Sequence, residues 1–238
     1  MSACARCRRA RPAIDPARYR HGLAIHAAGW PLGKNAHGGA FLYHLPGGLA
    51  AVGLVTHLDY RNPWLDPFEE FQRAKMHPVL IGALRGGERI GFGARALACG
   101  GLQSVPELVF SGGALLGCSA GLLDPSRGKG IHGAMLSGIA AAEAAFNACT
   151  AGRGGDKLFA YPQMLKQMPI WRDLVDARNF KPWIARLGTG LGGFLAGGEL
   201  WLARMRVAFS WTLAHRGADH QTLLSANECP RIEYPRVD

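Results

Sequence analysis

Hydrophobic and polar positions divide the chain into stretches of different period. Between residues 23 and 58 the apolar residues come in short runs, 23–27, 40–45 and 49–58, with a turn at Trp30 and Pro31. Gly38 and Gly39 precede the second run, and Pro46, Gly47 and Gly48 join it to the third. Runs of this length bounded by turn residues predict β-strands, the last two paired as a hairpin. From Asp59 the period changes. Phe68, Phe71 and Ala74 follow Pro67 at helical spacing, with Glu69 and Glu70 in the first turn, which predicts a helix over about 67–76. Residues 112–146, GGALLGCSAGLLDPSRGKGIHGAMLSGIAAAEAAF, read as a strand at 114–117, a loop holding Gly121, Gly128 and Gly130, and a helix from Ile131. In that helix Ile131, Met135, Ile139, Ala142 and Phe146 share one face, while Ala134, Gly138 and Ala141 are small enough to pack closely against a strand. A polar linker at 150–157, an aromatic-rich helical segment at 158–183 and a glycine-rich stretch at 187–211 complete the pattern.

Strands followed by helices define a mixed α+β or α/β class, and 238 residues can bury a core as one domain or as one domain with an annex. Lys and Arg number 27 against 17 acidic residues, a net charge of +10 that is spread along the chain. Such an excess fits an anionic membrane surface or an acidic partner. Without zinc-finger spacing, a basic zipper or an aromatic RNA-binding signature, a nucleic-acid partner is the weaker reading, and none is expected. The 33 glycines, many in pairs, imply close backbone approach to a large ligand. Cysteines at 4, 7, 99, 118, 149 and 229 form no disulfide framework, and the lone Cys4–Cys7 CxxC lacks the other ligands that zinc needs. His215, Asp219 and His220 read as solvated polar residues, and no metal site is expected. Residues 1–13, basic and apolar-poor, read as a disordered start without the apolar core of a signal peptide.

The strand–loop–helix at 112–146 has a physical use. Free amides at a helix start attract anions, Gly128 and Gly130 permit close approach, and Arg127 and Lys129 add charge. An ordinary strand-to-helix crossover is the alternative. Gly188, Gly190 and Gly193 spell GxGxxG, but no β-branched strand precedes them, so no dinucleotide fingerprint is read there. The uncharged run 187–198 is 12 residues, short of the roughly 20 that a span needs. Leu187, Leu191, Phe194, Leu195, Trp201, Leu202, Met205 and Phe209 form a helical stripe, with Arg186, Arg204 and Arg206 towards its ends. Arginine is costly at a bilayer centre and favourable at an anionic surface, which predicts a membrane-surface helix over a glycine-rich core helix.

Several motifs together resemble the electron transfer flavoprotein-ubiquinone oxidoreductase family. Gly117, Cys118, Ser119, Ala120 and Gly121 fit its GCS-(A/P)-G turn, and Lys129, Gly130, His132, Ala134, Met135, Ser137 and Gly138 fit its KG-x-H-x-AM-x-SG helix start. Residues 91–107 fit GARAL-x-x-GG-x-(Q/N)S-x-P, and residues 71–78 fit FQR-x-K-x-HP. The resemblance implies a partial FAD-dependent oxidoreductase fold. Its parts would be a β-rich quinone-binding subdomain at 14–110, the last strand and helix of the FAD domain at 111–150, and a helical, monotopic membrane-surface segment at 151–238. It implies that Gly38 and Gly39 meet a ubiquinone carbonyl, and that Gln103, Gly117, Ser119, Gly121, Gly130 and His132 lie at the flavin. Leu191, Phe194, Leu195, Trp201, Leu202 and Met205 would touch the membrane.

The implied activity is electron transfer from reduced electron transfer flavoprotein to ubiquinone at a bacterial or mitochondrial inner membrane, with no acid–base triad. The alternative is a truncated, non-catalytic remnant or a membrane-surface module that binds quinone or a partner. The resemblance spans residues 14–238 but only the middle and later part of the family's sequence. The family's strand–GxGxxG–helix and the cysteines of its four-iron four-sulfur cluster are not among these residues, which implies that this chain alone carries no iron and little FAD, and that a separate chain could supply the FAD half. The sequence also departs from the pattern. His37 stands for Tyr and Ala40 for Ser, Ile131 and Gly133 replace side chains near the flavin, and Asp124, Pro125 and Ser126 replace an Asn-Val-Pro-like run.

Overall fold

A computed structural model describes residues 2–8 (backbone only), 19–32, 36–207, 211–215, 217 and 221–235. The chain divides into two compact units, residues 1–96 with 217–238, and residues 97–216. These limits differ from the sequence-based breaks after 110 and 150. Residues 221–235 return to the first unit because side chains near Asp66 bind them.

In the first unit, β1 (Ser2–Arg8), β2 (Ala24–Ala28), β3 (Gly38–Leu45) and β4 (Leu49–His57) form an antiparallel sheet in the order β1-β4-β3-β2. The β3–β4 hairpin is the one expected, with Leu42 opposite Val52 and Ala40 opposite Leu54. Alternation turns Ala40, Leu42, Ala50, Val52 and Leu54 to one face, where they pack with Leu65, Phe71, Ala74, Leu80 and Leu84 from α1 (Pro67–Lys75), α2 (Pro78–Leu84) and the segment before them. Full burial of a side chain such as Leu42 or Phe71 contributes about 1.5–3 kcal/mol. Helix α1 starts where predicted because Asp66 caps it, its carboxylate accepting from Phe68 N at 2.7 Å and Glu69 N at 3.3 Å. On the opposite face Phe41 covers Gly53 and stacks on Tyr43 at 4.9 Å. Ser2–Arg8, expected to be disordered, instead takes the free edge of β4, satisfying backbone groups that an open edge would leave unpaired. The rest of that expectation, residues 1 and 9–13, lies outside the described residues.

The segment 221–235 is tied down by side chains near α1. Asn62 donates to the Pro230 carbonyl at 2.9 Å, and the Trp64 indole donates to Ala226 at 3.1 Å. The Tyr234 hydroxyl accepts from Asp66 N and donates to Glu70, both at 3.0 Å. Glu70 is buried and also pairs with Arg73 at 3.0 Å.

The second unit holds a two-stranded ribbon, β5 (Val109–Phe110) and β6 (Gly113–Ala114), then α3 (Ile131–Thr150), α4 (Ala160–Gln167), α5 (Pro169–Asp176), α6 (Phe180–Leu187) and α7 (Gly193–Arg204). The strand expected at 114–117 shortens to β6, and the next residues form a 3-10 turn, Gly117–Ala120. Helix α3 starts at Ile131 as expected and buries Gly133, Ser137, Ala140, Ala141, Ala144 and Ala148. Of the three small residues expected to pack closely, only Ala141 is fully buried. The large face points outward, with Ile131 78%, Met135 63%, Ile139 56% and Phe146 67% exposed. Small residues win the inner side because Tyr161, Leu165, Ile170 and Leu174 of α4 and α5 fill the space there.

Burial raises the Tyr234 hydroxyl to about 12, with Glu70 adding to the shift and the bond from Asp66 N opposing it. Because the folded value lies above the ordinary value near 10, Tyr234 stabilises the fold fully below pH ~10, and that contribution falls away as pH rises towards 12. Thermal unfolding should show this alkaline loss in the parent and a smaller one in Tyr234→Phe; identical pH profiles would dismiss it.

Candidate functional site

In the second unit the residues from Gly117 to the start of α3 are organised by two buried side chains. Ser137, on the inner face of α3, accepts from Gly117 N at 3.0 Å and donates to the Ala134 carbonyl at 3.0 Å. Asp124 accepts from Ser126 N at 2.8 Å, Ser126 Oγ at 2.6 Å and Arg127 N at 3.3 Å. Its other oxygen lies 3.5 Å from Arg127 Nε, and Arg127 Nη1 reaches Asp173 at 3.3 Å. Arg127, expected to offer charge to an anion, is therefore engaged in ion pairs. Sequence matches Ser137 to the family's helix start and marks Asp124 as a departure from its pattern, but assigns neither an organising role, although Asp-Pro-Ser is an Asx-turn signature that could have marked Asp124.

Around that turn, Gly121 adopts the left-handed conformation and Ser119 is exposed. Gly130 caps α3 without a side chain, so the first amides of α3 lack intrahelical partners. His132, in the first turn, has a buried Nε2 with no hydrogen-bond partner. Gln103 sits in the 3-10 turn Leu102–Ser104 and donates to the carbonyls of Arg178 at 2.6 Å and Leu213 at 3.0 Å. Its Oε1 is buried without a partner. Gln103 thus holds the segment 211–215 against α5–α6, a role sequence reasoning missed, while one acceptor stays open. At Gly133 a Cβ would stand 2.5 Å from the Leu122 carbonyl, so this packing requires glycine there.

In the first unit Gly38 and Gly39 begin β3 and belong to the sheet. Gly38 has a φ of 153°, and its carbonyl accepts from Gly29 N at 3.2 Å. A Cβ on Gly38 would collide with the Val55 carbonyl and one on Gly39 with the Ala27 carbonyl. Beside them the His37 and His57 rings meet edge-on at 6.3 Å, buried Leu32 lies against Gly38, and half-exposed Trp30 packs on His77 at 5.3 Å.

The stripe expected at a membrane lies on the α6–α7 hairpin, where Gly188 and Gly190 of the GxGxxG fall in the π-helical turn Gly188–Gly192 and Gly193 begins α7. Leu187, Leu191, Phe194, Trp201 and Met205 are exposed, Phe194 at 78%, while Leu195 and Leu202 are half-buried. Within α7 only Ala196 is buried. Phe209 lies outside the described residues. Glu199 accepts from the Trp211 indole at 2.9 Å. Among the described residues no helix is long and apolar enough to cross a membrane.

His215, set aside as a ligand, bonds Ser104 Oγ at 3.2 Å, while Asp219 and His220 lie outside the described residues. Cys99, Cys118, Cys149 and Cys229 are free thiols, and burial pushes the Cys99 thiol up.

Residues 12–97 match the protein-family profile described as ETF-QO, ubiquinone-binding. The matched stretch includes β2, β3, β4, α1 and α2 of the first unit. Over 233 residues, 94% of its length, the chain is 44% identical to the human mitochondrial electron transfer flavoprotein-ubiquinone oxidoreductase. It is 43% identical to the Pseudomonas aeruginosa protein and 42% identical to the Arabidopsis thaliana one, again over 94% of the chain. The chain is homologous to one segment of the electron transfer flavoprotein-ubiquinone oxidoreductases, and it spans 37% of the human protein and 41% of the bacterial one. A geranylgeranyl bacteriochlorophyll reductase-like protein from Thermoplasma acidophilum superposes with a TM-score of 0.48 at 21% identity, over 68% of this chain and 40% of that one.

Two expectations follow. Gly39→Val should lower the thermal midpoint by roughly 5 °C or more, since the side chain has no room between strands; an unchanged midpoint would mean that the strands separate freely there. Gln103→Ala should speed amide exchange in residues 211–215 about tenfold through loss of the hydrogen bond to the Leu213 carbonyl, and exchange at the parent rate would deny Gln103 this role.

Proposed function

We propose that the chain is the ubiquinone-facing, membrane-docking segment of an electron transfer flavoprotein-ubiquinone oxidoreductase, working at a bacterial or mitochondrial inner-membrane surface. The observation that carries this is the match of residues 12–97 to the ubiquinone-binding profile, a stretch that includes β2, β3, β4, α1 and α2. A quinone ring is flat and apolar with an acceptor oxygen at each end. Such a ring would lie beside the glycine start of β3, where the Cβ directions of Gly38 and Gly39 are filled by the Val55 and Ala27 carbonyls, against the exposed apolar surface of Trp30 and the polar ring of His37.

The second unit would carry the end of a FAD-binding fold. The two buried unpartnered atoms, Gln103 Oε1 and His132 Nε2, fit the polar edge of a flavin, and the uncapped amides at Gly130 and the turn of Gly117, Ser119 and Gly121 would bind beside them. When bound, FAD would supply a carrier that accepts and releases electrons singly or in pairs. The buried Gln103 Oε1 and His132 Nε2 would orient it. The partner supplying electrons would be reduced electron transfer flavoprotein, and an iron–sulfur cluster, if used, would rest on cysteines from the remaining length of such a protein. Leu191, Phe194, Trp201 and Met205, with Leu195 and Leu202 beneath them, would dock on lipid, where ubiquinone is dissolved.

The test uses vesicles containing anionic lipid, together with titration by a short-chain ubiquinone. The parent should float with the vesicles and bind the quinone saturably, His37→Tyr should bind it several-fold more tightly, and Phe194→Asp with Trp201→Asp should stay at the bottom of the gradient. A parent that shows no saturable quinone binding would end the quinone assignment. Flotation of the double aspartate variant would end the membrane assignment.

A further inference from the structure

We infer that the outward face of α3 is an interface for another folded polypeptide layer, the part of an electron transfer flavoprotein-ubiquinone oxidoreductase that this chain does not span. The choice of partner rests on the proposed function; the existence of the interface rests on α3 itself. At 20 residues α3 is about 30 Å long, and its sequence holds one acidic residue, Glu143, and no Lys or Arg. Four large apolar side chains, Ile131, Met135, Ile139 and Phe146, are each more than half exposed on it. A surface helix normally turns such residues inward; here the inner face is taken by Gly133, Ser137 and alanines. A long apolar face on a chain of net charge +10 marks a contact surface.

The relief of this face suits polypeptide. Ala134, Gly138 and Ala142 lie between the large side chains, and a Cβ built on Gly138 meets nothing within 4 Å. A shallow groove between ridges admits the backbone or side chains of a neighbouring helix or sheet. Lipid fits less well, because a helix docked on a bilayer carries Lys or Arg at its polar edge, as the α6–α7 stripe does at Arg186 and Arg204, and α3 has neither. The polypeptide available to fill the groove is substantial, since this chain spans only 37% of the human relative and 41% of the bacterial one. The partner surface would be apolar and uncharged to match.

The experiment co-expresses this full chain with the remaining part of the Pseudomonas aeruginosa protein and measures complex formation by affinity capture and sedimentation. The parent should form a one-to-one complex. Met135→Asp with Ile139→Asp should weaken it about a hundredfold, and Gly138→Phe, which adds bulk without charge, should weaken it too. Circular dichroism and the thermal midpoint of both variants should match the parent. No complex with the parent, or equal binding by both variants, overturns the inference. Unfolding of both variants overturns it as well, because the face would then be core. A parent dimer abolished by the aspartates would assign the face to a second copy, and loss of vesicle flotation in them would assign it to lipid. Quinone titration keeps the two proposals apart: a complex that binds no quinone leaves the interface standing, and quinone binding without a complex removes it.

Discussion

The candidate cofactor site depends on one buried carboxylate. Asp124 is 1% exposed, and an isolated charge there would be costly. Its cost is offset by two backbone N–H groups, the Ser126 hydroxyl and Arg127, so the loop can close only in the one shape that satisfies them all. That shape sets Gly130 at the helix start, and the Ser137–Gly117 bond fixes the turn on the other side. Uncapped amides and the unpartnered His132 nitrogen are thereby held in place by residues that need not touch a ligand.

The first unit solves a different problem. A site made of backbone has to be rigid, because no side chain can adjust to the ligand. At Gly38 and Gly39 the rigidity comes from strand packing close enough to exclude a Cβ on either residue. The same glycines serve the sheet and, on the proposed function, the ligand as well, so a substitution at either would report on both. A probe of binding must act beside them, at His37.

What was legible in the sequence was local. The β3–β4 hairpin followed from runs broken by Pro and Gly, α1 from Pro67 and the spacing of Phe68, Phe71 and Ala74, and the start of α3 from the glycines before Ile131. What was hidden depends on contacts distant in sequence. Gln103 binds carbonyls at Arg178 and Leu213, and Tyr234 reaches Asp66 and Glu70; no periodicity encodes such pairs. The pairing of Ser2–Arg8 arises because β4 has an edge to fill, which its own composition does not announce. The facing of α3 was open for a subtler reason. Both of its stripes are apolar, and only the bulk of α4 and α5 decides that alanines go in.

Helix α3 therefore lives under two opposed rules. On the inner side Gly133, Ala140, Ala141 and Ala144 meet filled space, so residues there cannot grow. On the outer side Ile131, Met135, Ile139 and Phe146 are large where small or polar residues would be easier to keep in water. A library of substitutions across the helix would find few permissive positions on either side, and a sequence scored only for tolerance would pass for one buried all round. Surface elements are usually where a protein drifts fastest; this one should be among the slowest.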